Sequence, residues 1–370
     1  MFIIDPMRRV LIYAVILLAH MVGASRLHAQ ELQVGAGFTT LFDNREYASM
    51  TFDGSGTLFS ACLSPEVGIT WSERNELMFG LDMFQDFGHD VKFLSMVSPS
   101  FYYGYRAPRV KLFAGLISRD EMRGLQSSLY FDRRYTYYNN NIAGVLARYE
   151  DPKFGDSYVE FAMDYTGMRD FDTREAFMIM MSGYMPIKWF YMGFDFLMGH
   201  YAKDYNPDTN DGVVDNLMLT PHVGAKFAIP TSSRAVNFDV SLTYVQSLQR
   251  DRINEDVWVM PRGGELFVEV EWYDVRLSNR LYMGRGSLFT YFDRYGEDLY
   301  HGSPLYRTDS GIYDAIQLSY SRGFFDDTVS IEAGMTMEYD GTGWGTRQWL
   351  QVNAAIGYGI SIKRKQQYIE

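Results

Sequence analysis

Hydrophobic and polar residues alternate with a period of two in many short segments of this chain. In residues 349–361 one face of an extended strand is apolar and the other is small and polar. The apolar face carries Leu350, Val352, Ala354, Ile356, Tyr358 and Ile360, and the other face carries Gln351, Asn353, Ala355, Gly357, Gly359 and Ser361. Such a strand fits either a soluble sandwich, with its apolar face inside, or an outer-membrane barrel, with its apolar face toward lipid.

Short and long connections separate these segments in turn. Short polar links fall at 72–75, 107–109, 151–156, 230–234 and 323–327, and longer loops fall at 43–57, 118–138, 202–214, 249–263 and 291–312. Membrane barrels join their strands by short periplasmic turns and long external loops. The pattern therefore predicts an all-β fold, a transmembrane antiparallel up-and-down β-barrel of about 16 strands, within a range of 14 to 18. The alternation is weakest over 281–289.

The N-terminus has the features of a secretory signal peptide. Arg8 and Arg9 precede an apolar stretch at 10–24, and Ala29 stands before a cleavage point near Gln30. We therefore predict a signal peptide at 1–30 and a single transmembrane barrel domain at 31–370. No second long apolar run exists, which excludes a helical membrane protein. Localisation in the outer membrane of a Gram-negative cell follows.

Charge and cysteine content narrow the function classes. The formal net charge is -12, and removal of the signal would bring it to about -14. Apart from Lys363-Arg364-Lys365, Lys and Arg are not clustered, so nucleic acid is not expected as a partner. The single cysteine, Cys62, allows no intramolecular disulfide. The expected partners are outer-membrane lipid and lipopolysaccharide, and a small polar solute; an oligomeric or surface-protein partner stays open.

If the barrel prediction holds, a set of mostly acidic side chains faces the lumen. The pore-lining candidates are Glu66, Asp82, Lys111, Glu160, Asp164, Asp195, His222, Lys226, Asp239, Glu269, Glu271, Glu332 and Glu338. Charges facing a wet lumen would favour cations or neutral solutes such as saccharides over anions. The alternative is that these charges pair with one another or with a plug.

The loop at 118–138 combines charged and aromatic residues and is longer than a turn needs. Its candidates for a pore constriction are Arg119, Asp120, Arg123, Tyr130, Asp132, Arg133, Arg134 and Tyr135. The alternative is an external loop that belongs to an interfacial aromatic girdle. The loop at 291–313 is a candidate counterpart, since it is also rich in tyrosine and arginine. The tetrapeptide at 130–133 is repeated at 291–294, which fits either a duplicated half-barrel or a chance match.

Metal-ion and catalytic signals are weak. Oxygen ligands alternate at 204–212, but glycine is not at the sixth position and no glutamate closes a twelve-residue loop, so a solvated turn is preferred over calcium. We predict no metal and no cofactor. The mature chain offers only His89, His200, His222 and His301, without a G-x-S-x-G motif. Ser64 or Ser241 beside a histidine would be a guess, and we predict no enzyme.

Several stretches resemble the porin-like outer-membrane barrels of Bacteroidetes. They are Ala29-Gln30, Asp164-Tyr165-Thr166-Gly167-Met168 with Thr173-Arg174-Glu175-Ala176-Phe177, Tyr149-Glu150-Asp151, and Asp298-Leu299-Tyr300-His301-Gly302-Ser303-Pro304-Leu305-Tyr306. The resemblance implies an outer-membrane barrel and supplies no functional residues.

The leading functional hypothesis is a passive diffusion channel for small polar solutes. Two alternatives stay open: a plugged barrel that serves as a binding or assembly component of an outer-membrane complex, and an embedded outer-membrane hydrolase.

Overall fold

The computed structural model describes residues 31–358 except 53, 207–211, 233 and 286. The signal peptide, part of the calcium candidate and the C-terminal tail from 359 lie outside the described residues. Within the described residues the chain forms sixteen strands: β1 Glu31–Glu46, β2 Gly56–Trp71, β3 Asn75–Asp86, β4 Met96–Arg106, β5 Val110–Ser118, β6 Asn141–Glu150, β7 Tyr158–Gly167, β8 Ala176–Ile187, β9 Phe190–Tyr201, β10 Val214–Ile229, β11 Val236–Asp251, β12 Arg262–Trp272, β13 Val275–Arg285, β14 Ile312–Phe324, β15 Val329–Tyr339 and β16 Trp344–Tyr358.

Every strand pairs antiparallel with its sequence neighbours, and β1 pairs with β16 to close the barrel. Phe38 lies opposite Ala354 at this closing seam. The predicted fold class and strand number are confirmed. The poor alternation over 281–289 has a simple cause: β13 ends at Arg285, and the buried Leu288 and Phe289 already belong to the next loop.

The two ends of the barrel differ in the length of their connections. One end, which we call the turn end, carries the short links, the start of β1 and the end of β16; the other, the loop end, carries the long loops. In outer-membrane barrels the long loops face the cell exterior. Short helices lie in these loops, α1 at Arg133–Tyr138 and α2 at Phe292–Tyr295. Among the described residues, none of the helices has the length and hydropathy to cross a membrane.

The two faces of the wall follow the predicted alternation. Outward residues such as Val223, Leu242 and Leu318 are more than half exposed, whereas inward residues such as Leu41, Phe84 and Tyr282 are fully buried. An apolar outer surface of this extent would be unfavourable in water, and hydrocarbon removes that penalty. The apolar face of β16 is therefore the lipid face.

Candidate functional site

The loop between β5 and β6 folds into the barrel and is held there by wall carboxylates. The backbone N–H groups of Arg123 and Gly124 donate to Glu160 at 2.9 and 3.1 Å, and that of Leu125 donates to Asp195 at 3.0 Å. Consecutive N–H groups pointing in one direction form a concave anion site. Here the anions are side chains of the wall, so acidic inward residues fix the loop in the lumen.

The other end of the same loop reaches the closing seam. Asp43, which is fully buried, accepts from Arg347 at 3.0 Å and from Arg134 at 3.3 Å. Arg45 bridges Asp43 at 3.4 Å and Asp132 at 2.7 Å. Burial alone would raise the pKa of Asp132, but Arg45 and Arg347 outweigh it and hold that pKa below its usual range.

A second inward loop, between β13 and β14, meets the first one in the lumen. We call the two loops, residues 119–140 and 287–311, the lumen plug. Two backbone hydrogen bonds join them: Asp132 N–H to His301 O at 2.6 Å and Ser303 N–H to Ser128 O at 2.7 Å. Tyrosine hydroxyls anchor the second loop to the wall, from Tyr300 to Gln249 and from Tyr306 to Glu265. The lumen is therefore filled at the loop end.

His301 lies at the centre of the lumen plug. Its ring stacks on Tyr135 with centroids 4.2 Å apart, and its Nδ1 atom is buried without a hydrogen-bond partner in the described part of the chain. Burial, together with the nearby Arg119, lowers the pKa of His301 to about 4. The imidazole is therefore neutral at physiological pH and is a weak proton acceptor there. Burial also raises the pKa of Tyr135 to about 12.

All eight constriction-loop candidates belong to the lumen plug, and only Asp120 among them is exposed. Arg119 pairs with Asp164 at 2.8 Å. Tyr130 shares a hydrogen bond of 2.7 Å with Thr220. Arg133 donates to Gln351 at 2.6 Å and stacks on Trp349. These contacts reach opposite sides of the barrel, so the loop crosses the lumen completely.

Most of the remaining pore-lining candidates contact charged or polar neighbours in the wall or in the loops. Lys111 pairs with Glu150, Lys226 with Asp239, Glu269 and Glu271 with Arg276, and Glu332 with Arg133; Asp82 accepts from Ser64, Glu338 from Tyr47, and the ring of His222 lies 3.3 Å from the carbonyl of Thr220. Six arginines outside the predicted pore-lining set also point inward, namely Arg45, Arg106, Arg148, Arg276, Arg280 and Arg347. The wall is a set of ion pairs rather than an acidic surface.

A small cavity remains between the lumen plug and β13–β15. Its volume is about 10 Å³, and its lining includes Ser128, Arg280 and Glu338. A space of that size holds one water molecule at most. It is too small to serve as a binding site for a solute.

A different constellation lies on the outer face of the barrel, at the loop end of β7–β11. Five residues, one from each strand, are direct cross-strand partners: Tyr165, Phe177, His200, Asp215 and Arg250. We call them the outer-face row. Their chain neighbours Tyr201, Val214 and Asp251 are buried on the inner face, which fixes the outward direction of the row.

The outer-face row changes from aromatic to charged along its length. The rings of Tyr165 and Phe177 are parallel within 8°, and Phe177 stacks on His200 with centroids 4.6 Å apart. Direct partners on one face of an antiparallel pair have Cβ atoms about 4.5–5.5 Å apart, which brings His200 and Asp215 side by side.

Asp215, the cross-strand partner of His200, binds two arginines. It accepts from Arg250 at 2.9 Å and from Arg252 at 2.6 Å. The guanidinium of Arg250 also stacks on Trp258, 4.6 Å from the ring centroid. A histidine, a carboxylate and two guanidinium groups therefore occupy neighbouring positions at the loop end of the lipid-facing wall, where ionisable side chains are rare and usually functional.

Apolar residues of the neighbouring loops lie next to the outer-face row, at the loop end of the barrel. They are all more than half exposed and belong to the three loops that adjoin β7–β12: Met168, Phe171, Tyr205, Val257 and Met260. Exposed apolar groups on loops that flank a lipid-facing wall are typical of contact with the membrane interface. The row is thus bordered by apolar surface on both sides.

Of the four histidines in the part of the chain that the structure describes, only His200 lies on the outer face. His89 is exposed on a loop beside Asp90, His222 is on the inner wall, and His301 is in the lumen plug. Sequence reasoning named His200 but gave it no partner, and it missed Asp215 and Arg250. A period-two reading assigns their face, but only the pairing register makes them direct neighbours.

The described residues were also compared with the requirements of a metal site and of a reactive thiol. No group of three His, Cys, Asp or Glu side chains in residues 31–358, gaps excepted, could hold a metal ion. Cys62 is a buried thiol whose Sγ atom lies 3.5 Å from the hydroxyl oxygen of Ser64.

The closed antiparallel barrel with a lipid-facing outer wall defines an outer-membrane β-barrel protein. It is similar to the loop L8 deletion mutant of OmpT, an outer-membrane protein of Vibrio cholerae, with a TM-score of 0.50 and 9% identity over 89% of this chain and 100% of that one. OccAB3 of Acinetobacter baumannii and OccD3 of Pseudomonas aeruginosa each give a TM-score of 0.47 at 9% identity, covering 89% and 90% of this chain and 100% and 93% of theirs. At 9% identity, the likeness to OmpT shows the fold alone.

The chain belongs to the family described as Lipid A 3'-O-deacylase-type, whose sequence profile matches residues 24–364. No curated protein matches it. The resemblance to outer-membrane barrels and the predicted localisation are confirmed, but the family is one of enzymes.

Two predictions are therefore wrong: that the protein is a diffusion channel, and that it is not an enzyme. The channel prediction took the width of the lumen from the number of strands. The long loops fill that width, because acidic wall residues bind their backbone N–H groups. The prediction of no enzyme relied on the absence of local motifs, whereas the outer-face row assembles from five separate strands.

Proposed function

We propose that this protein is an embedded outer-membrane hydrolase that removes an ester-linked acyl chain from a lipid A-type glycolipid. The observation that carries the reaction class is the family match over residues 24–364. An outer-leaflet glycolipid has its ester bonds where the sugar headgroup meets the hydrocarbon, beside the outer wall of a barrel. The outer-face row lies on that wall at the loop end, and we assign the reaction to it.

His200 is the general base of the proposed reaction. It accepts a proton from a water molecule whose oxygen attacks the ester carbonyl carbon. The bond from the carbonyl carbon to the sugar oxygen then breaks, and the imidazolium returns the proton to that oxygen. The products are a free fatty acid and a sugar hydroxyl, so one water is consumed for each chain released.

The neighbours of His200 supply charge for this step. Asp215, its direct cross-strand partner, stabilises the imidazolium that forms. Arg250 and Arg252, which both donate to Asp215, place positive charge next to the developing oxyanion. The rings of Tyr165 and Phe177 give the sugar headgroup an aromatic contact surface beside His200.

Fatty acid release from lipid A by the purified protein in detergent tests the proposal. His200→Asn keeps a polar side chain of similar size but removes the base, so we expect the rate to fall by about 10²–10⁴-fold. His89→Asn, in an exposed loop, is the matched control and should retain the wild-type rate. Absence of fatty acid release by the wild-type protein would reject the activity, and an unchanged rate in His200→Asn would reject the assignment of the base.

A further inference from the structure

Methionines are unevenly distributed over the lipid-facing wall. Nine methionines of the described strands point outward, and five of them lie on the three adjacent strands β7–β9: Met163, Met181, Met185, Met192 and Met198. The other four, Met83, Met283, Met335 and Met337, are spread over the remaining thirteen strands. The methionine-rich part of the wall therefore includes β9, the strand that carries His200.

Pairing register places part of this cluster directly below the outer-face row. Met198 is two residues before His200 on the same face of β9, and it pairs with Ile179, which pairs in turn with Met163. Met181 lies one further step down, opposite Phe196. We call Met163, Ile179, Met181 and Met198 the methionine patch. Tyr165, Phe177 and His200 lie above it on the same three strands.

The methionine patch lies nearer to the outer-face row than the other two outward methionines of β7–β9, Met185 and Met192. A strand tilted by about 40° advances roughly 2.5 Å per residue along the membrane normal. One leaflet of hydrocarbon is about 15 Å thick, which corresponds to roughly six residues below His200. The patch lies two to four residues below the outer-face row, within that distance, whereas Met185 and Met192, which pair with each other, lie eight residues below it.

We propose that the methionine patch binds the ester-linked acyl chain that His200 releases. This inference rests on the proposed function. Methionine side chains are unbranched and polarizable, so they adapt to an irregular, mobile hydrocarbon chain better than the rigid rings that cover much of the outer wall. The glycolipid then lies with its sugar against the outer-face row and its scissile chain along β7–β9. Because the patch adjoins His200 on the same strands, we expect it to hold the scissile acyl chain rather than bulk lipid.

Photo-crosslinking tests this placement independently of hydrolysis. The probe is a lipid A analogue with amide-linked acyl chains that carry a diazirine at their ends, added to the full-length protein in detergent. We expect labelled peptides from β7–β9, with labelling reduced by an excess of unmodified lipid A. Met335 and Met337, outward on β15, provide the internal control and should be labelled no more than the rest of the wall. Equal labelling of β15 and β7–β9 would overturn the proposal.

Chain-length preference provides a second readout. Met198→Phe places a rigid ring below His200, and we expect it to change the ratio of kcat/KM for long and short acyl chains by roughly tenfold. Met337→Phe is the matched control and should leave the ratio unchanged; an equal effect of both variants would contradict the patch. If hydrolysis depends on His200 but labelling is uniform, the patch is wrong and the proposed function stands. If β7–β9 are labelled but no fatty acid is released, the lipid site stands and the proposed reaction fails.

Discussion

Two aspartates at the loop end of the barrel, Asp43 on the inner face and Asp215 on the outer face, each bind more than one arginine. Asp43 is fully buried beneath the lumen plug among Arg45, Arg134 and Arg347. Asp215 remains partly accessible between Arg250 and Arg252 and stands beside a histidine. The same residue types therefore serve two purposes, which solvent access distinguishes: one cluster fixes the loops, and the other is open to a ligand.

Removing the charge of the inner aspartate should have the largest effect. Asp43→Asn leaves three arginines with one counter-charge fewer in a buried site, and we expect it to lower the free energy of unfolding by about 3–5 kcal/mol. Urea unfolding followed by tryptophan fluorescence measures this. Asp90→Asn, on the exposed loop beside His89, should change the unfolding free energy by less than about 0.5 kcal/mol. Equal stabilities of Asp43→Asn and wild type would mean that the inner cluster does not hold the plug.

Acid should weaken the lumen plug through His301. Its folded pKa is about 4, below the unfolded value of 6.5, so the unfolded chain binds the extra proton first. The contribution to stability is present above pH 6.5 and is lost as pH falls from 6.5 to 4, up to roughly 3 kcal/mol. The measurement is the urea midpoint at pH 7.5 and 4.5, compared with His301→Gln. Only the difference between the two proteins isolates this group, and an identical pH dependence would contradict the prediction.

The outer aspartate should behave in the opposite way to the inner one. Asp215→Asn removes the negative charge beside His200, and we expect fatty acid release to fall about 100-fold. Its stability should change by less than about 1 kcal/mol, because partly exposed ion pairs contribute little. Release assays and urea unfolding on the same preparations give both numbers. A variant that is destabilised as strongly as Asp43→Asn would remove the contrast between the two faces.

A close approach inside the lumen gives the smallest effect. A Cβ built on Gly124 would lie 1.9 Å from the Ser182 hydroxyl oxygen, so the loop cannot keep its position with a larger residue there. We expect Gly124→Ala to destabilise the protein by about 1–3 kcal/mol. Adding Ser182→Gly removes the clash and should restore most of that loss in urea unfolding. Without such a rescue, the destabilisation would have another cause than this contact.

Much of the fold follows from the sequence because a period of two is a local property. Alternation assigns each side chain of a strand such as β16 to one face, and the alternation of short and long connections orders the strands. The candidate site is less accessible to such reasoning. His200 could be placed on a strand, but its partners Phe177 and Asp215 are 23 and 15 residues away in the chain.

By itself, the sequence determined that the chain is a barrel with an apolar outer wall and charged residues inside. Only the tertiary structure decided that two loops fold inward, that wall carboxylates bind their backbone, and that Tyr165, Phe177, His200, Asp215 and Arg250 form one row. The physical reason is that alternation fixes the face of a residue but not its depth. Depth depends on the register between strands and on which loops find partners in the lumen, and both are set by contacts between distant parts of the chain.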